Sequence, residues 1–173
     1  MSKSQNQRTN RRELVMERIN KILYPTDFSR HSQVAIPLAV DLAAHYGAEL
    51  HCLHAVDTEH EFFMEGGYVV PLRTEPIDNE QMHRIARQRM DEFVGQHMSE
   101  LDGSLRQVVV LGKPFEQIIR YARQEKIDLI VIGTHGHSAL VSMLLGSVAE
   151  KVIRKAPCAV LSVRHPEHEF KAP

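Results

Sequence analysis

The chain has 173 residues, of which 43% are hydrophobic and 25% are charged, and its formal net charge is −1. This composition fits one globular domain with a buried core, and the near-zero net charge gives no whole-chain field that would attract nucleic acids or anionic membranes. No stretch reaches the roughly 18 apolar residues of a membrane span, and no apolar signal core begins the chain, so we predict a cytoplasmic protein.

The cysteines and histidines form no recognisable metal or redox motif. Cys52 and Cys158 lie inside apolar runs, a position typical of reduced, buried thiols. The eleven histidines include no H-x-x-x-H or H-E-x-x-H pair, and no cysteine cluster accompanies them. We therefore predict no metal site.

Polar segments at both ends limit the part of the chain that is expected to fold. Residues 1–18 are rich in Asn, Gln, Arg and Ser and predict a flexible tail, because they cannot bury enough apolar surface. Residues 165–173 predict a second polar tail. A single domain is expected over residues 19–164.

The first predicted elements are a strand and a helix. Lys21–Thr26 (KILYPT) reads as a strand that Pro25 ends. A helix is expected to begin at Ser29 or Ser32 and to run to about residue 46, before Gly47. Pro37 falls inside this helix and predicts a bend, unless the helix begins later.

The middle of the chain predicts two further strands and two helices. Glu49–Val56 is a strand, and Asp57–Ile77 is a long irregular connection. Apolar residues at three- and four-residue spacing predict a helix over Asn79–Leu101. Leu105–Leu111 is a strand rich in β-branched residues, and a helix over Pro114–Lys126 follows it, since Pro suits a first helical turn.

The last elements complete an alternating pattern. Asp128–Ile132 is a continuous apolar run, typical of a strand covered on both faces. A helix over Val148–Lys155 and a strand over Cys158–Val163 follow. Five strands alternating with four helices predict one open parallel sheet with helices on both faces, because consecutive parallel strands need a long right-handed crossover.

Glycines cluster after the fourth predicted strand. Gly133 and Gly136 enclose two residues, and nine residues later Gly146 and Ser147 precede a helix. Glycines permit positive φ and close approach to the main chain, and the first N–H groups of a helix form an anion site. Ser147 and Glu150 also fit an S-x-x-E capping box. The alternative is that these glycines only form turns, and the spacing is neither a Walker loop nor a Rossmann motif.

Four segments carry a resemblance to a known family. The run G-x2-G-x9-G-S at Gly133–Ser147 resembles the nucleotide-binding signature of the ATP-binding branch of the universal stress proteins. Ile22–Ser29 (ILYPTDFS) resembles the first strand of that family. His54–Asp57 is similar to the end of its second strand, and Pro157–Val163 to its last strand. The likeness covers about residues 20–164.

The resemblance implies an adenine nucleotide alpha hydrolase-like fold and a set of binding residues. If the loops after strands one and four flank one crevice, those strands are neighbours and the sheet order is 3-2-1-4-5. The implied adenosine contacts are Pro25, Thr26, Asp27 and Ala55, and the implied phosphate contacts are Gly133, Thr134, His135, Gly136, Gly146, Ser147 and Val148. Ala55 is smaller than the residue expected against an adenine ring, which predicts a looser base pocket.

These implications predict a nucleotide-responsive regulatory protein of the stress response. The expected ligand is ATP, or AMP or ADP, with the use of Mg²⁺ left open. The expected assembly is a homodimer through the edge strand Cys158–Val163, since an exposed apolar edge invites pairing. A slow ATPase or nucleotidyl-transfer enzyme is the alternative, although no nucleophile with an adjacent base and no paired carboxylates are recognisable. An interaction module that has lost its nucleotide is a third hypothesis, and it predicts a disrupted glycine signature.

Overall fold

The computed structural model describes residues 18–57, 78–101, 104–134 and 145–164, together with the backbone of residues 62–65 and 68–71. Seven strands and five helices lie within these residues. In chain order they are β1 (Lys21–Pro25), α1 (Arg30–Gln33), α2 (Ile36–Tyr46), β2 (Glu49–Val56), β3 (Phe62–Glu65), β4 (Tyr68–Pro71), α3 (Asn79–His97), β5 (Leu105–Leu111), α4 (Pro114–Gln124), β6 (Leu129–Gly133), α5 (Ser147–Lys155) and β7 (Ala159–Val163).

Five parallel strands form the main sheet. Their order is β5-β2-β1-β6-β7, which confirms the order 3-2-1-4-5 expected from the sequence. Strands β3 and β4 form a separate antiparallel ribbon. The prediction of an irregular connection over residues 57–77 was therefore wrong in this part, because aromatic and β-branched residues on both sides of a Gly-Gly pair are a hairpin signal.

Two hydrophobic cores lie on opposite faces of the sheet. Ile22 and Leu23 are consecutive residues of β1, and each is fully buried. Ile22 packs into the core beneath α2 and α3, whereas Leu23 packs into the core beneath α4 and α5, since successive strand side chains point to opposite faces. Burying one such side chain stabilises the fold by about 1.5–3 kcal/mol. The prediction of helices on both faces is confirmed.

The helix expected after β1 is two helices. The side-chain oxygen of Ser29 accepts a hydrogen bond from the Ser32 N–H at 3.2 Å and caps α1. Pro37 lies in the first turn of α2, where its missing N–H has no intrahelical partner to lose. The alternative that the helix begins later is therefore correct for α2, which begins at Ile36, and the expected bend at Pro37 does not arise. The residues before it form the separate helix α1.

The end of α4 places a lysine in a conformation that favours glycine. Lys126 has a φ of 55°, and the N–H of Ile127 donates to the carbonyl of Ala122 at 2.9 Å, a closure typical of helices whose next residue is left-handed. We expect Lys126→Gly to raise the free energy of unfolding by about 1 kcal/mol, because only glycine adopts this φ without strain. Urea denaturation measures the change.

The end of α2 offers the reverse substitution as a control. Gly47 has a φ of 61°, and a Cβ built on it meets no atom within 4 Å. Gly47→Ala is therefore expected to lose about 1 kcal/mol through backbone strain alone. Equal stability of Lys126→Gly and wild type, with Gly47→Ala destabilised, would contradict the strain assigned to Lys126.

Strand β7 is an edge of the sheet in the described part of the chain, since it pairs with β6 alone. Leu161 on β7 is 36% exposed, and Ile153 on α5 is 41% exposed. An unpaired edge with exposed apolar side chains is a surface on which another strand can pair. The homodimer through Cys158–Val163 stays a prediction. Among the helices described above, none has the length and apolar character needed to cross a bilayer.

Candidate functional site

The predicted site residues that the structure describes lie at the carboxyl end of the sheet. Strand β1 lies between β2 and β6, so the loop after β1 is adjacent to the ends of both strands. Along the chain, β1, β2 and β5 proceed towards one edge, and β6 and β7 towards the other. The strand order therefore reverses between β1 and β6, where open α/β sheets bind ligands.

The loop after β1 is held by its own polar side chains. Thr26 is 7% exposed, its N–H donates to the Leu53 carbonyl at 2.8 Å, and its hydroxyl accepts from the Phe28 N–H at 3.0 Å. One carboxylate oxygen of Asp27 accepts from the N–H of Ser29 at 3.0 Å and from its hydroxyl at 2.6 Å. These bonds fix the loop, in which Asp27 is half-buried.

Phe28 adopts a left-handed backbone conformation, with a φ of 63°. Such a conformation costs a bulky residue about 1–3 kcal/mol and persists only when its surroundings enforce it. The ring lies 4.2 Å from the ring of His54 and 5.1 Å from that of Phe93, centroid to centroid, and the Arg89 guanidinium lies 5.0 Å from the ring centroid. The strain is therefore offset by packing of the ring, and the turn redirects the chain towards α1.

His54 connects the end of β2 to the loop after β1. Its Nδ1 lies 2.8 Å from the carbonyl oxygen of Thr26. A carbonyl only accepts, so Nδ1 carries a proton and donates it. Phe28 and His54 were absent from the predicted site. His54 adjoins Ala55 in the sequence match, but spacing alone did not indicate its bond to Thr26.

Ala55 lies near the carboxyl end of β2. It is half-buried and pairs with Val110 of β5. The small side chain leaves the end of β2 less filled than a larger aliphatic residue would. The structure thus places Ala55 on the strand next to β1, which ends at Pro25 and is followed by the loop with Thr26 and Asp27.

Gly133 ends β6 and is required by packing within the protein. A Cβ built on this residue would lie 2.5 Å from the carbonyl oxygen of His31 and 3.1 Å from the Cα of Ser32. Both atoms belong to the backbone of α1, which cannot yield as a flexible side chain can. Gly133 lacks a positive φ, so close approach explains the glycine, and the approaching group is α1.

The start of α5 has backbone N–H groups that no helix carbonyl or described side chain accepts from. Gly146 precedes the helix with φ −68° and ψ 149°, and no side chain caps it. The Gly146 N–H donates to the Thr134 carbonyl at 2.6 Å, and the Thr134 N–H donates to the Val163 carbonyl at 2.9 Å. The next N–H groups, of Ser147 and Val148, belong to the first turn and have no intrahelical acceptor. Such N–H groups at a helix start are suited to binding an anion, and here they lie beside the end of β6.

The capping box predicted from S-x-x-E is not formed. Ser147 is the first residue inside the helix and is exposed, and Gly146 takes the capping position. Glu150 instead accepts a hydrogen bond from the Arg154 guanidinium at 3.2 Å. The negative φ of Gly146 also removes the expectation that this glycine is needed for a left-handed turn. Within the described residues, no side chain therefore caps the start of α5.

Two predicted phosphate contacts, His135 and Gly136, lie outside the described residues. The other predicted contacts fall into two groups. The β1 loop and the end of β2 carry Pro25, Thr26, Asp27 and Ala55, and the end of β6 and the start of α5 carry Gly133, Thr134, Gly146, Ser147 and Val148.

In the described residues, neither the two cysteines nor the His, Asp and Glu side chains form a second reactive or metal-binding site. Cys52 is fully buried, and desolvation raises the pKa of its thiol to about 12, which keeps the thiol protonated and unreactive. Burial also raises the pKa of the half-buried Cys158. Over the described ranges, no group of three or more His, Cys, Asp or Glu side chains is arranged to hold a metal ion.

The family model for the universal stress proteins matches residues 18–164. The chain belongs to the universal stress protein family. A universal stress protein of Methanocaldococcus jannaschii is 30% identical over 83% of this chain and 94% of its own length. One of Methanothermobacter thermautotrophicus is 35% identical over 87% of this chain and 99% of its own length. The family resemblance proposed from the sequence is therefore confirmed.

Solved structures of universal stress proteins share the fold. The M. jannaschii protein superposes with a TM-score of 0.70 at 29% identity, covering 87% of this chain and 99% of that one. A universal stress protein in complex with cAMP has a TM-score of 0.62 at 22% identity, with 83% and 96% covered. One from Archaeoglobus fulgidus in complex with dAMP has a TM-score of 0.56 at 19% identity, with 83% and 96% covered. These last two likenesses concern the fold alone.

Proposed function

We propose that this universal stress protein binds ATP, or the related AMP or ADP, as a regulatory ligand in the crevice between β1 and β6. The observation that carries the proposal is the first turn of α5, whose N–H groups meet no capping side chain among the residues that the structure describes. These donors and the positive end of the helix dipole suit phosphate oxygens. Their position at the reversal of strand order is where such sheets bind nucleotides.

The two groups of predicted residues take different parts of the nucleotide in this proposal. The adenosine lies against Pro25, Thr26, Asp27 and Ala55. The phosphates lie against Gly133, Thr134, His135, Gly136, Gly146, Ser147 and Val148. Ala55 leaves a wide base pocket, and the exposed Ser147 hydroxyl is free to donate to a phosphate oxygen. Any Mg²⁺ enters with the phosphates, because this ion keeps most of its waters and binds protein through few ligands.

The ligands of two proteins of the same fold support the chemical class. One was solved with cAMP and one with dAMP, and each ligand combines an adenine with a single phosphate. A site with a base pocket at the end of β2 and N–H donors at the start of α5 accommodates both the adenine and the phosphate. The proposal extends this class to a triphosphate tail along α5.

The site is better suited to recognition than to turnover. Catalysed hydrolysis needs a group that positions or deprotonates the attacking water, and in the described site the Asp27 carboxylate already accepts two hydrogen bonds from Ser29.

We propose that nucleotide occupancy biases a homodimer formed through β7 in the cytoplasm, and thereby the binding of a further protein. Slow hydrolysis by a bound water is the second candidate.

Calorimetric titration of the purified protein with ATP tests this function. Saturable 1:1 binding is expected, and ATP at a hundred times its dissociation constant should stabilise the fold by about 2.7 kcal/mol, which raises Tm by roughly 5–10 °C. GTP at the same concentration is the matched control for the base. No shift with millimolar ATP and Mg²⁺ would overturn the proposal, and steady multiple turnover would favour the enzymatic alternative.

A further inference from the structure

An open groove of about 430 Å³ lies between α4 and α5 on the outer surface of the protein. It is lined by Phe115, Glu116, Ile119, Arg120, Arg123 and Lys155, among others. We call this feature the basic groove. It shares no residue with the candidate nucleotide site, so a separate function is open to it.

The floor of the basic groove is apolar. Phe115 and Ile119 are four residues apart and therefore lie in one row along α4. Ile119 is 8% exposed, and Phe115 is half-buried. The ring of Phe115 is thus partly open to solvent beneath a charged rim. An apolar floor within a charged rim is the anatomy of a protein-binding surface.

The rim carries four exposed basic side chains and one acidic side chain. The basic residues are Arg120, Arg123, Lys151 and Lys155, and the acidic residue is Glu116. Among the ion pairs of the described residues, none involves these five side chains. The formal net charge of the whole chain is −1, so this rim is a local concentration of positive charge.

Interactions within the protein explain some of the basic side chains of this rim. Arg123 and Lys155 lie in the last turns of α4 and α5, where cations complement the helix dipole. The Nζ atoms of Lys151 and Lys155 lie 4.9 Å and 5.6 Å from the centroid of the Phe115 ring, within cation–π range. Neither role applies to Arg120, which is mid-helix, exposed and without an ion pair in the described chain.

We propose that the basic groove docks a short acidic peptide segment of another protein. One apolar side chain of the peptide packs on Phe115 and Ile119, and flanking carboxylates pair with Arg120 and the lysines of α5. Arginine suits this role because its planar fork binds carboxylates in bidentate fashion. The eleven residues of α4 extend about 16 Å, which matches about five residues of an extended peptide.

The same features favour a peptide over a nucleic acid. Nucleic-acid affinity comes from many phosphates bound along an extended basic surface, and it grows with the number of contacts. Here the basic side chains surround a single apolar floor, and the chain as a whole is not basic. The docking site is independent of the proposed nucleotide site, and loss of one would leave the other intact.

Fluorescence anisotropy with a labelled peptide tests the docking site. The probe is acetyl-Glu-Asp-Glu-Phe-Glu-Asp-Glu carrying fluorescein, titrated with the full chain. We expect saturable binding that weakens at least about tenfold in Arg120→Glu and in Lys151→Glu. Arg84→Glu is the matched control, because Arg84 is an exposed residue within α3. It should bind the probe as wild type does, and Arg120→Glu and Arg84→Glu should both bind ATP as wild type does.

A second peptide, an oligonucleotide and one further variant distinguish the possible ligands of the basic groove. A peptide with Ser in place of Phe is expected to bind several-fold more weakly, since it lacks the apolar anchor. Equal binding of the two peptides, equal weakening by Arg84→Glu, or absence of binding would overturn the proposal. So would tighter, Arg120-dependent binding of oligo-dT. The chain's own residues 165–173 carry Glu167, Glu169 and Phe170, and tighter probe binding by Phe170→Ser would assign the groove to that segment instead.

Discussion

Ser147→Glu is expected to lower ATP affinity by about 10- to 100-fold while leaving the fold intact. Ser147 is exposed and is the first residue of α5, so a carboxylate there occupies the position proposed for the phosphates. The same carboxylate interacts favourably with the positive end of the helix dipole and should stabilise the ligand-free protein by about 0.3–1 kcal/mol. Loss of binding with a gain in stability separates electrostatic exclusion from unfolding.

Ser147→Gln is the matched control, because glutamine has the size of glutamate without its charge. It should retain ATP affinity within about threefold, since backbone N–H groups supply most of the phosphate contacts in this account. Calorimetric titration measures both affinities, and urea denaturation measures both stabilities. Equal ATP affinity in Ser147→Glu and Ser147→Gln would show that the phosphates do not bind at the start of α5.

Gly133→Ala is expected to lower the free energy of unfolding by about 1–3 kcal/mol, the usual cost of adding a carbon atom to a packed core. The new Cβ would meet the backbone carbonyl of His31 at 2.5 Å, and α1 must move to relieve the clash. That movement displaces the Ser29 cap and the loop bearing Asp27. ATP affinity should therefore fall together with stability.

A second glycine shows what the same substitution does without a clash. Gly95 lies within α3, and a Cβ built on it meets no atom within 4 Å. Gly95→Ala is expected to stabilise the protein by about 0.5–1 kcal/mol through helix propensity. If Gly133→Ala instead left stability unchanged and removed ATP binding, the glycine would serve ligand approach and not α1.

Strands and sheet order were predictable because each strand is a short apolar run bounded by turn residues. The bounds of β2 and β5 agree to the residue with those predicted. The order 3-2-1-4-5 followed from requiring the loops after strands one and four to flank one crevice, and it is confirmed. Local periodicity and the crossover rule were sufficient for the strands and their parallel arrangement. Their order also required the single crevice that the family resemblance implies.

The parts that sequence could not supply depend on contacts between distant residues or on exact cap positions. The close approach of α1 to Gly133 joins residues about 100 positions apart, and no spacing rule reports it. The capping box failed because Gly146 took the capping position and left Ser147 inside the helix. The φ of 63° at Phe28 is rare for a bulky residue, so propensity argues against it.

Amide NMR of the ¹⁵N-labelled protein during ATP titration shows whether the nucleotide binds at the start of α5. We expect the largest chemical-shift changes at Ser147, Val148 and the preceding Gly146, with a second group at Thr26 and Asp27. These shifts should saturate together with the calorimetric binding curve. Saturating shifts confined to residues elsewhere, such as those of the basic groove, with the start of α5 unchanged, would contradict binding at this site.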